Sequence, residues 1–181
     1  MTGAEVARII SYLESAAIRI WLDGGWGVDA LIGEETRPHS DLDAAVELDK
    51  TDSIIAALAP FGFEVTADDR PTRLVLAASD GRHVDFHPLV LDEQGNGRQI
   101  GAGPNGGDAI YPAEGLTGKG IVLGRPVACL TAELLLRHHT GYEPTAKDRH
   151  NVGLLCERFG LEPPRAYANR VISEPNGDTL D

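Results

Sequence analysis

The sequence predicts an α/β (α+β) fold, in which helices flank a small, mixed and twisted β-sheet and further helices follow from about residue 131. Segments with the 3.6-residue spacing of helices alternate with short β-branched segments, and glycine or proline residues separate them. The length of 181 residues is enough to bury one substantial core. We therefore expect one domain over residues 1–172 and a disordered polar tail over residues 173–181.

The first two predicted elements are an amphipathic helix and a buried strand. Thr2-Gly-Ala-Glu5 has the spacing of a capping box, which marks the start of the helix. The segment Ile18–Leu22 is apolar and partly β-branched, as expected for a buried strand. The apolar residues that recur at helical spacing on one face of the first helix are Val6, Ile9, Ile10, Leu13 and Ala17.

A glycine turn follows this strand and begins a short helix. Gly24 and Gly25 can adopt positive φ without a Cβ penalty. A short helix is predicted over Gly25–Leu31, with Gly33 as its end. Because unpaired amides and the dipole at a helix N-terminus favour anions, Gly24 and Gly25 are candidate phosphate-binding residues. Taken alone, a Gly-Gly pair is most often only a turn.

Two carboxylates follow on the next strand. Pro38 returns the chain to an extended conformation, and a strand is predicted from about Asp41 to Leu48. Because side chains alternate along a strand, Asp41 and Asp43 share one face and lie about 7 Å apart. Such a pair can hold Mg²⁺, which prefers oxygen ligands, in a two-metal phosphoryl-transfer site. An isolated Asp-x-Asp pair is more often a solvated strand edge or a cap.

Together, the glycine turn and the carboxylate pair resemble the signature of the nucleotidyltransferase superfamily that includes polymerase β. The segments Gly24–Gly33 and Thr36–Asp43 are similar to those of the small antibiotic nucleotidyltransferases, namely the lincosamide and the aminoglycoside 2″ enzymes. The similarity is specific over residues 20–45 and extends more weakly to about residue 160. It implies the nucleotidyltransferase fold and transfer of a nucleoside monophosphate, with two Mg²⁺ ions. The expected reaction moves AMP from ATP, or a nucleotide from another nucleoside triphosphate, to an antibiotic hydroxyl and releases pyrophosphate.

The middle of the chain is predicted to contain a helix, a strand and a β-hairpin. The dipeptide Asp80-Gly81 is the strongest two-residue hairpin signal in the sequence. In order, the predicted elements are a helix capped by Thr51 or Asp52 and ended at Gly62, a strand at Phe63–Thr66, a polar loop at Asp68–Pro71, and the hairpin strands Thr72–Ala78 and His83–His87.

Asp85 is an acidic residue within the second strand of this hairpin. Alternation places Val84 and Phe86 on the opposite face from Asp85. Burying a carboxylate is costly unless it is paired or binds a metal, so the candidate partner is the metal site at Asp41 and Asp43. The family resemblance implies that Asp85 is the third carboxylate of this site, acting as a metal ligand and as the general base.

The spacing His83-x-Asp85-x-His87 permits a second interpretation. Imidazole with carboxylate on one strand face could bind a transition metal such as Zn²⁺ or Fe²⁺. The preferred interpretation is that both histidines are ordinary sheet residues beside a functional aspartate.

The C-terminal half is predicted to contain a loop, three short strands and two helices. Residues Leu91–Gly107 are rich in Gly, Asn, Asp and Gln, which indicates a hairpin loop and then a mobile segment near the site. The strands are predicted at Ile110–Pro112, Gly118–Gly124 and Pro126–Leu130, and the helices at Thr131–Thr140 and Ala146–Phe159.

Two cations are candidates for contact with the β- and γ-phosphates. Arg37 offers a planar fork that matches phosphate oxygens, and Lys147 offers a mobile point charge. Lys147 lies in Thr145-Ala-Lys-Asp148, which resembles the Lys-Asp element of the related enzymes. Asn151 departs from the resemblance, because an acidic residue is expected there. The alternative for each cation is an ordinary surface position.

The charge of the chain limits its partners. A net charge of −12 argues against a nucleic-acid partner, because phosphate-backbone binding depends on clustered Lys and Arg. It suits a small cationic, hydroxylated acceptor and favours aminoglycosides, which carry several amines, over lincosamides, which carry one. Cys129 and Cys156 have no metal-binding or redox spacing. With no predicted membrane span or signal segment, we expect a cytoplasmic protein.

Two other functions remain open. A catalytically idle nucleotide-binding domain would be expected to lack a carboxylate, whereas Asp41, Asp43 and Asp85 are all present. A nucleotidyltransferase that modifies a protein or tRNA, as in toxin–antitoxin systems, would share the same chemistry. The acidic charge disfavours RNA and leaves a protein acceptor open. No position in the sequence selects the nucleotide base or an oligomeric state.

Overall fold

The computed structural model describes residues 1–168 of the chain. These residues include nine β-strands and six α-helices. None of these helices is long and apolar enough to cross a lipid bilayer. The predicted domain boundary at residue 172 and the predicted tail at 173–181 lie outside the described residues. The strands are β1 (Ile20–Leu22), β2 (Leu42–Glu47), β3 (Phe63–Asp69), β4 (Arg73–Ala78), β5 (His83–Leu91), β6 (Gly97–Gln99), β7 (Ala109–Tyr111), β8 (Gly118–Val122) and β9 (Arg125–Cys129). The helices are α1 (Gly3–Ser15), α2 (Gly24–Ile32), α3 (Thr51–Leu58), α4 (Ala132–His138), α5 (Ala146–Phe159) and α6 (Arg165–Ala168).

The strands form one mixed sheet, as the sequence predicted. Seven of them follow the order β3-β4-β5-β2-β1-β9-β8, and β6 joins β5 to β7. The pairs β2/β5 and β1/β9 are parallel, whereas the other neighbours are antiparallel. The parallel pairing of β2 with β5 brings together two segments that are about forty residues apart in the sequence.

Apolar side chains cover both faces of this sheet. Leu42, Ala44 and Val46 of β2 belong to a buried cluster with residues of α1 and α3. Ala45 belongs to a second cluster with residues of α4 and α5. Because side chains alternate along β2, Asp43 faces the same side as Ala45. Asp43, the catalytic candidate on β2, therefore faces α4 and α5.

The start of α1 confirms its predicted capping box, but its end differs from the prediction. The Thr2 hydroxyl accepts the amide of Glu5, and the Glu5 carboxylate accepts the amide of Thr2. The assignment of Ala17 to the core face is wrong, because Ala17 is exposed and has a φ of 56°. The helix has already ended there, and the amide of Ile18 bonds to the carbonyl of Leu13.

Polar residues extend β3 further than expected. The prediction that Asp68–Pro71 forms a loop is wrong for its first half, because β3 continues through Asp69. As an edge strand, β3 can pair its backbone with β4 while its polar side chains remain in water. The predicted hairpin at Asp80-Gly81 is confirmed, but its loop is the three residues Ser79–Gly81, and Gly81 has a φ of 94°.

The remaining helices lie close to their predicted positions. The predicted cap of α3 is wrong, because α3 begins at Thr51 and the Thr51 hydroxyl donates to the carbonyl of Leu48. The helix α4 is shorter than predicted. The helix α5 has its predicted ends, with Thr145 in a capping box and Gly160 in the left-handed conformation at the C-cap. The residues that link β5 to β6 form the predicted hairpin loop.

Candidate active site

Two aspartates meet where β2 and β5 run side by side. Asp43 and Asp85 are partners in the parallel register. One potential ligand atom from each of Asp43, Asp85 and His87 lies within 4.8 Å of the others. Asp41 is not in this group of three, but it immediately precedes β2 and lines the cavity above the group. The structure thus brings two of the three predicted carboxylates into one cluster and places the third beside it.

The electrostatics of Asp43 suit a bound cation. Burial raises its pKa, the His87 charge opposes that effect, and the charges of Asp23, Asp41 and Asp85 add to it, which gives a pKa of about 7. A divalent cation would relieve this crowding of like charges. Because the available donors are mainly carboxylate oxygens, the site fits a hard ion such as Mg²⁺.

Asp23 connects three elements around the cluster, and sequence reasoning missed it. Its carboxylate accepts the amide of Gly24 at 2.7 Å and lies 3.2 Å from Nδ1 of His87 and 3.3 Å from Nδ1 of His138. Burial opposes ionisation, but the hydrogen bonds with His138 and His87 hold the pKa of Asp23 far below its usual range. An aspartate just before a helix is a typical N-cap, and that signal could have identified it.

The two histidines of β5 have different surroundings. His83 is outside the cluster, whereas His87 contacts Asp23 and lies beside Asp43 and Asp85. Burial lowers the pKa of His87, but the hydrogen bond and charge of Asp23, together with the charges of Asp43 and Asp85, outweigh burial and raise it to about 9. The interpretation of both residues as ordinary sheet histidines therefore overlooks the contacts of His87.

Both glycines of the turn are needed for close approach. A Cβ on Gly24, whose φ is 54°, would lie 2.2 Å from Oδ2 of Asp43. A Cβ on Gly25 would lie 2.4 Å from Nη2 of Arg37 and 2.6 Å from Nδ1 of His39. Side chains at these positions would displace the carboxylate and the guanidinium, so the glycines bring the α2 N-terminus against both.

The amides at the start of α2 are not equivalent. The Gly24 amide already donates to Asp23, and the first helical bond runs from the Gly27 amide to the Asp23 carbonyl. The amides of Gly25 and Trp26 lie between the Gly24 and Gly27 amides in the sequence, before the hydrogen-bonded part of the helix begins. They are better placed than the Gly24 amide to receive a phosphate.

A buried aspartate holds the loop that carries Arg37. Asp29 is 1% exposed and accepts the Thr36 amide at 3.0 Å and the Thr36 hydroxyl at 2.6 Å. Its Oδ2 also lies 2.6 Å from Nε2 of His39. Burial acts against the charged form, but these hydrogen bonds lower the pKa of Asp29. The loop is thereby fixed against α2.

We expect Asp29→Asn to destabilise the protein by about 3 kcal/mol, because it breaks a buried charged network. Since the pKa of Asp29 is lower in the folded protein than in the unfolded chain, its contribution is complete above the unfolded pKa and is lost as pH falls. Urea unfolding at pH 7 and at lower pH measures both effects. Asp52→Asn, at an exposed ion pair with Arg70, is the control and should change stability little. Equal stability of Asp29→Asn and the wild type would contradict this role.

Arg73 is the partner of Asp85 that sequence reasoning missed. Its Nε lies 2.9 and 2.8 Å from the two carboxylate oxygens, and its Nη2 also donates to Oδ2. The expected partner was the metal site at Asp41 and Asp43. Val75 pairs with Asp85 across the hairpin, so Arg73, two residues earlier, is the diagonal neighbour of Asp85.

A cavity of about 830 Å³ is lined by Asp43 and His87 of the cluster, whereas Asp85 is not part of its lining. Ligand sites in proteins commonly measure about 300–1,000 Å³, so this cavity has room for a large ligand. Its lining also includes Tyr111, whose hydroxyl donates to Gln99, and the segment 102–104, within the region predicted to be mobile. The predicted site residues that line it are Gly24, Gly25, Arg37, Asp41, Asp43 and Lys147.

The sequence also matches a known protein family. A family model described as aminoglycoside-2″-adenylyltransferase matches residues 5–155. The chain belongs to the aminoglycoside-2″-adenylyltransferase family. Membership confirms the predicted resemblance to the small antibiotic nucleotidyltransferases, and it confirms that the chain is a nucleotidyltransferase.

Two curated relatives of this family member have different antibiotics in their names. A lincosamide resistance protein of Staphylococcus haemolyticus is 30% identical over 152 residues, which cover 84% of this chain and 92% of the relative. A 2″-aminoglycoside nucleotidyltransferase of Klebsiella pneumoniae is 25% identical over 165 residues, which cover 87% of each chain.

Solved structures confirm the predicted nucleotidyltransferase fold. The lincomycin-bound lincosamide antibiotic adenylyltransferase LnuA is 29% identical, with a TM-score of 0.75 over 86% of this chain and 96% of LnuA. The structure of ANT(2″)-Ia with adenylyl-2″-tobramycin is 20% identical, with a TM-score of 0.68 over 87% of this chain and 89% of that one. The second similarity is evidence of the shared fold alone.

Proposed function

We propose that this family member transfers AMP from ATP to a hydroxyl of a lincosamide or aminoglycoside antibiotic, with two Mg²⁺ ions, and that pyrophosphate leaves. The observation that carries the proposal is the parallel register of β2 and β5. It places Asp43 beside Asp85, directly against the Gly24 turn. Clustered carboxylates next to a helix N-terminus are suited to a metal-bound triphosphate.

We propose the following roles for the residues of the site. Asp41, Asp43 and Asp85 would hold the metal ions, which neutralise charge on the phosphates when bound. The Gly25 amide and Arg37 would orient the triphosphate. Asp85 would take the proton of the acceptor hydroxyl while the oxygen of that hydroxyl forms a bond to the α-phosphorus. The bond from that phosphorus to the bridging oxygen breaks, and pyrophosphate carries away its electrons.

Apart from Asp23, Asp41 and Asp43, the lining of the cavity favours an acceptor with few amines. Its other carboxylates already have partners: Asp108 lies 3.3 Å from a guanidinium nitrogen of Arg98, and Asp148 accepts the hydroxyl of Tyr142 and caps α5. Ile110 and Tyr142 line the cavity and are 54% and 48% exposed, so they offer apolar surface to a ligand. The net charge of −12 acts at long range and mainly affects encounter rates. The local surface therefore favours lincosamides over the aminoglycosides that the net charge suggested.

A pyrophosphate-release assay tests the proposal. The enzyme is incubated with Mg²⁺, each of the four ribonucleoside triphosphates, and lincosamides, aminoglycosides or unrelated amines, and the mass of the product is measured. We expect release with ATP and a lincosamide, and a product heavier by one adenylyl group. If only a protein or tRNA stimulates release, the antibiotic proposal is wrong and the macromolecular alternative replaces it.

Lys147 is proposed to contact the triphosphate from α5. Its side chain is exposed and lines the cavity, so Lys147→Met should raise the KM for ATP about tenfold, the usual cost of one hydrogen bond to a charged group. Steady-state kinetics at saturating acceptor measure the effect. Lys119→Met removes an exposed lysine of β8 outside the cavity and should leave the KM unchanged. An unaltered KM and kcat for Lys147→Met would identify Lys147 as a surface cation.

A further inference from the structure

Asn151 forms a buried link between α5 and the loop that carries Arg37. It is 3% exposed, and its Oδ1 accepts the Nε–H of Arg37 at 3.3 Å. Its Nδ2 lies 3.2 Å from Nε2 of His139, whose Nδ1 lies 2.8 Å from the carbonyl of Leu135. Because that carbonyl can only accept, Nδ1 of His139 carries a proton, and Nε2 accepts the Asn151 amide. Both ends of the Asn151 amide therefore have a hydrogen-bond partner, because Oδ1 accepts from Arg37 and Nδ2 donates to His139.

Arg37 lies where a phosphate would bind. Its Nη2 is against Gly25 at the first turn of α2, and its Nη1 donates to the carbonyl of Pro38 at 3.1 Å. Its contacts through Nε and Nη1 are with uncharged oxygens, and within residues 1–168 no carboxylate forms a salt bridge with it. Among residues 1–168, no carboxylate partner therefore neutralises the positive charge of Arg37 beside the first turn of α2.

We propose that Asn151 is a positioning residue that orients Arg37 over the α2 N-terminus and leaves the whole guanidinium charge available to the triphosphate. This inference rests on the proposed function, because it requires a nucleotide phosphate at α2. A carboxylate of the same shape would hold the guanidinium equally well, but it would form an ion pair with Arg37 and compete with the phosphate. The uncharged amide at residue 151 therefore sets the nucleotide affinity.

The isosteric substitution Asn151→Asp tests this role. We expect the dissociation constant of a non-hydrolysable ATP analogue with Mg²⁺ to rise about ten- to a hundredfold, the range for one charge-assisted hydrogen bond. The KM for ATP should rise similarly, while kcat changes little. Equilibrium binding by calorimetry and steady-state kinetics measure the two effects. Gln94→Glu makes the same charge change at an exposed residue outside the cavity and should have no effect on either.

A double-mutant cycle with Arg37 separates positioning from packing. In an Arg37→Gln background, Asn151→Asp should weaken nucleotide binding much less than it does when Arg37 is present. An equal loss of affinity with and without Arg37 would overturn the proposal, as would an unchanged affinity in the single variant. If Asn151→Asp does not fold, Asn151→Ser removes the hydrogen bond without adding charge, and it should weaken binding only when Arg37 is present.

The wild-type enzyme separates failure of this inference from failure of the proposed function. If it binds no nucleoside triphosphate with Mg²⁺, both proposals are overturned. If it binds ATP and transfers AMP while Asn151→Asp binds ATP equally well, the function stands and the role of Asn151 is wrong.

Discussion

Asp43→Asn is expected to lower kcat by at least about a thousandfold, because it removes a ligand from the proposed metal site and loses several kcal/mol of charge stabilisation in the transition state. The carboxylate is the member of the cluster that touches the glycine turn, since a Cβ on Gly24 would lie within 3 Å of it. We also expect Mg²⁺ to raise the melting temperature of the wild type and not that of the variant. Activity and thermal unfolding with and without Mg²⁺ measure the two effects.

The same substitution should stabilise the metal-free protein. The pKa of Asp43 is raised from 3.8 to about 7, so between these values the folded protein binds more protons than the unfolded chain. This group therefore reduces the free energy of unfolding as pH rises from about 4 to about 7. Asparagine lacks the repelled charge, so in chelator the variant should be more stable than the wild type at pH 8. The difference should disappear near pH 4.

Asp49→Asn is the matched control for Asp43→Asn. Asp49 is exposed beside Lys50 and lies outside the cavity, so its loss should alter neither turnover nor the response to Mg²⁺. Near-complete activity of Asp43→Asn, or an undiminished effect of Mg²⁺ on its melting temperature, would exclude Asp43 from the metal site.

Local chemistry explains why so much of the fold could be predicted. The capping box at Thr145, the left-handed glycine after α5 and the glycine turn before α2 are fixed by neighbours within a few residues. Side-chain alternation along β2 likewise assigned Asp43 to the opposite face from Leu42. These features depend on short stretches of chain, and the sequence contains all of their determinants.

The contacts that complete the site depend on long-range register. Arg73 reaches Asp85 only because the hairpin loop has three residues, whereas a two-residue loop would shift every pair across it. His138 reaches Asp23 from α4, more than a hundred residues away in the sequence. Periodicity and spacing contain no information about such distances, so these supporting contacts were missed, whereas the carboxylate candidates could be named from the alternation of side chains along single strands.

Asp85→Asn is expected to lower kcat about a hundred- to ten-thousandfold, the usual contribution of a general base, while the KM for ATP changes much less. Asparagine keeps the shape of the side chain, and its carbonyl oxygen can still accept from Arg73, but it cannot take a proton from the acceptor hydroxyl. Separate measurements of kcat and of the KM for ATP at saturating acceptor distinguish the role of base from that of nucleotide ligand.

Two further variants complete the test of Asp85. Arg73→Gln keeps the carboxylate but removes the guanidinium that contacts both of its oxygens, so it should lower kcat less than Asp85→Asn does. Asp80→Asn is the control, because Asp80 has the same two-oxygen contact with Arg82 on the exposed end of this hairpin. It should leave kcat unchanged. If Asp85→Asn raises the KM for ATP and leaves kcat intact, Asp85 binds the nucleotide–metal complex and another group accepts the proton.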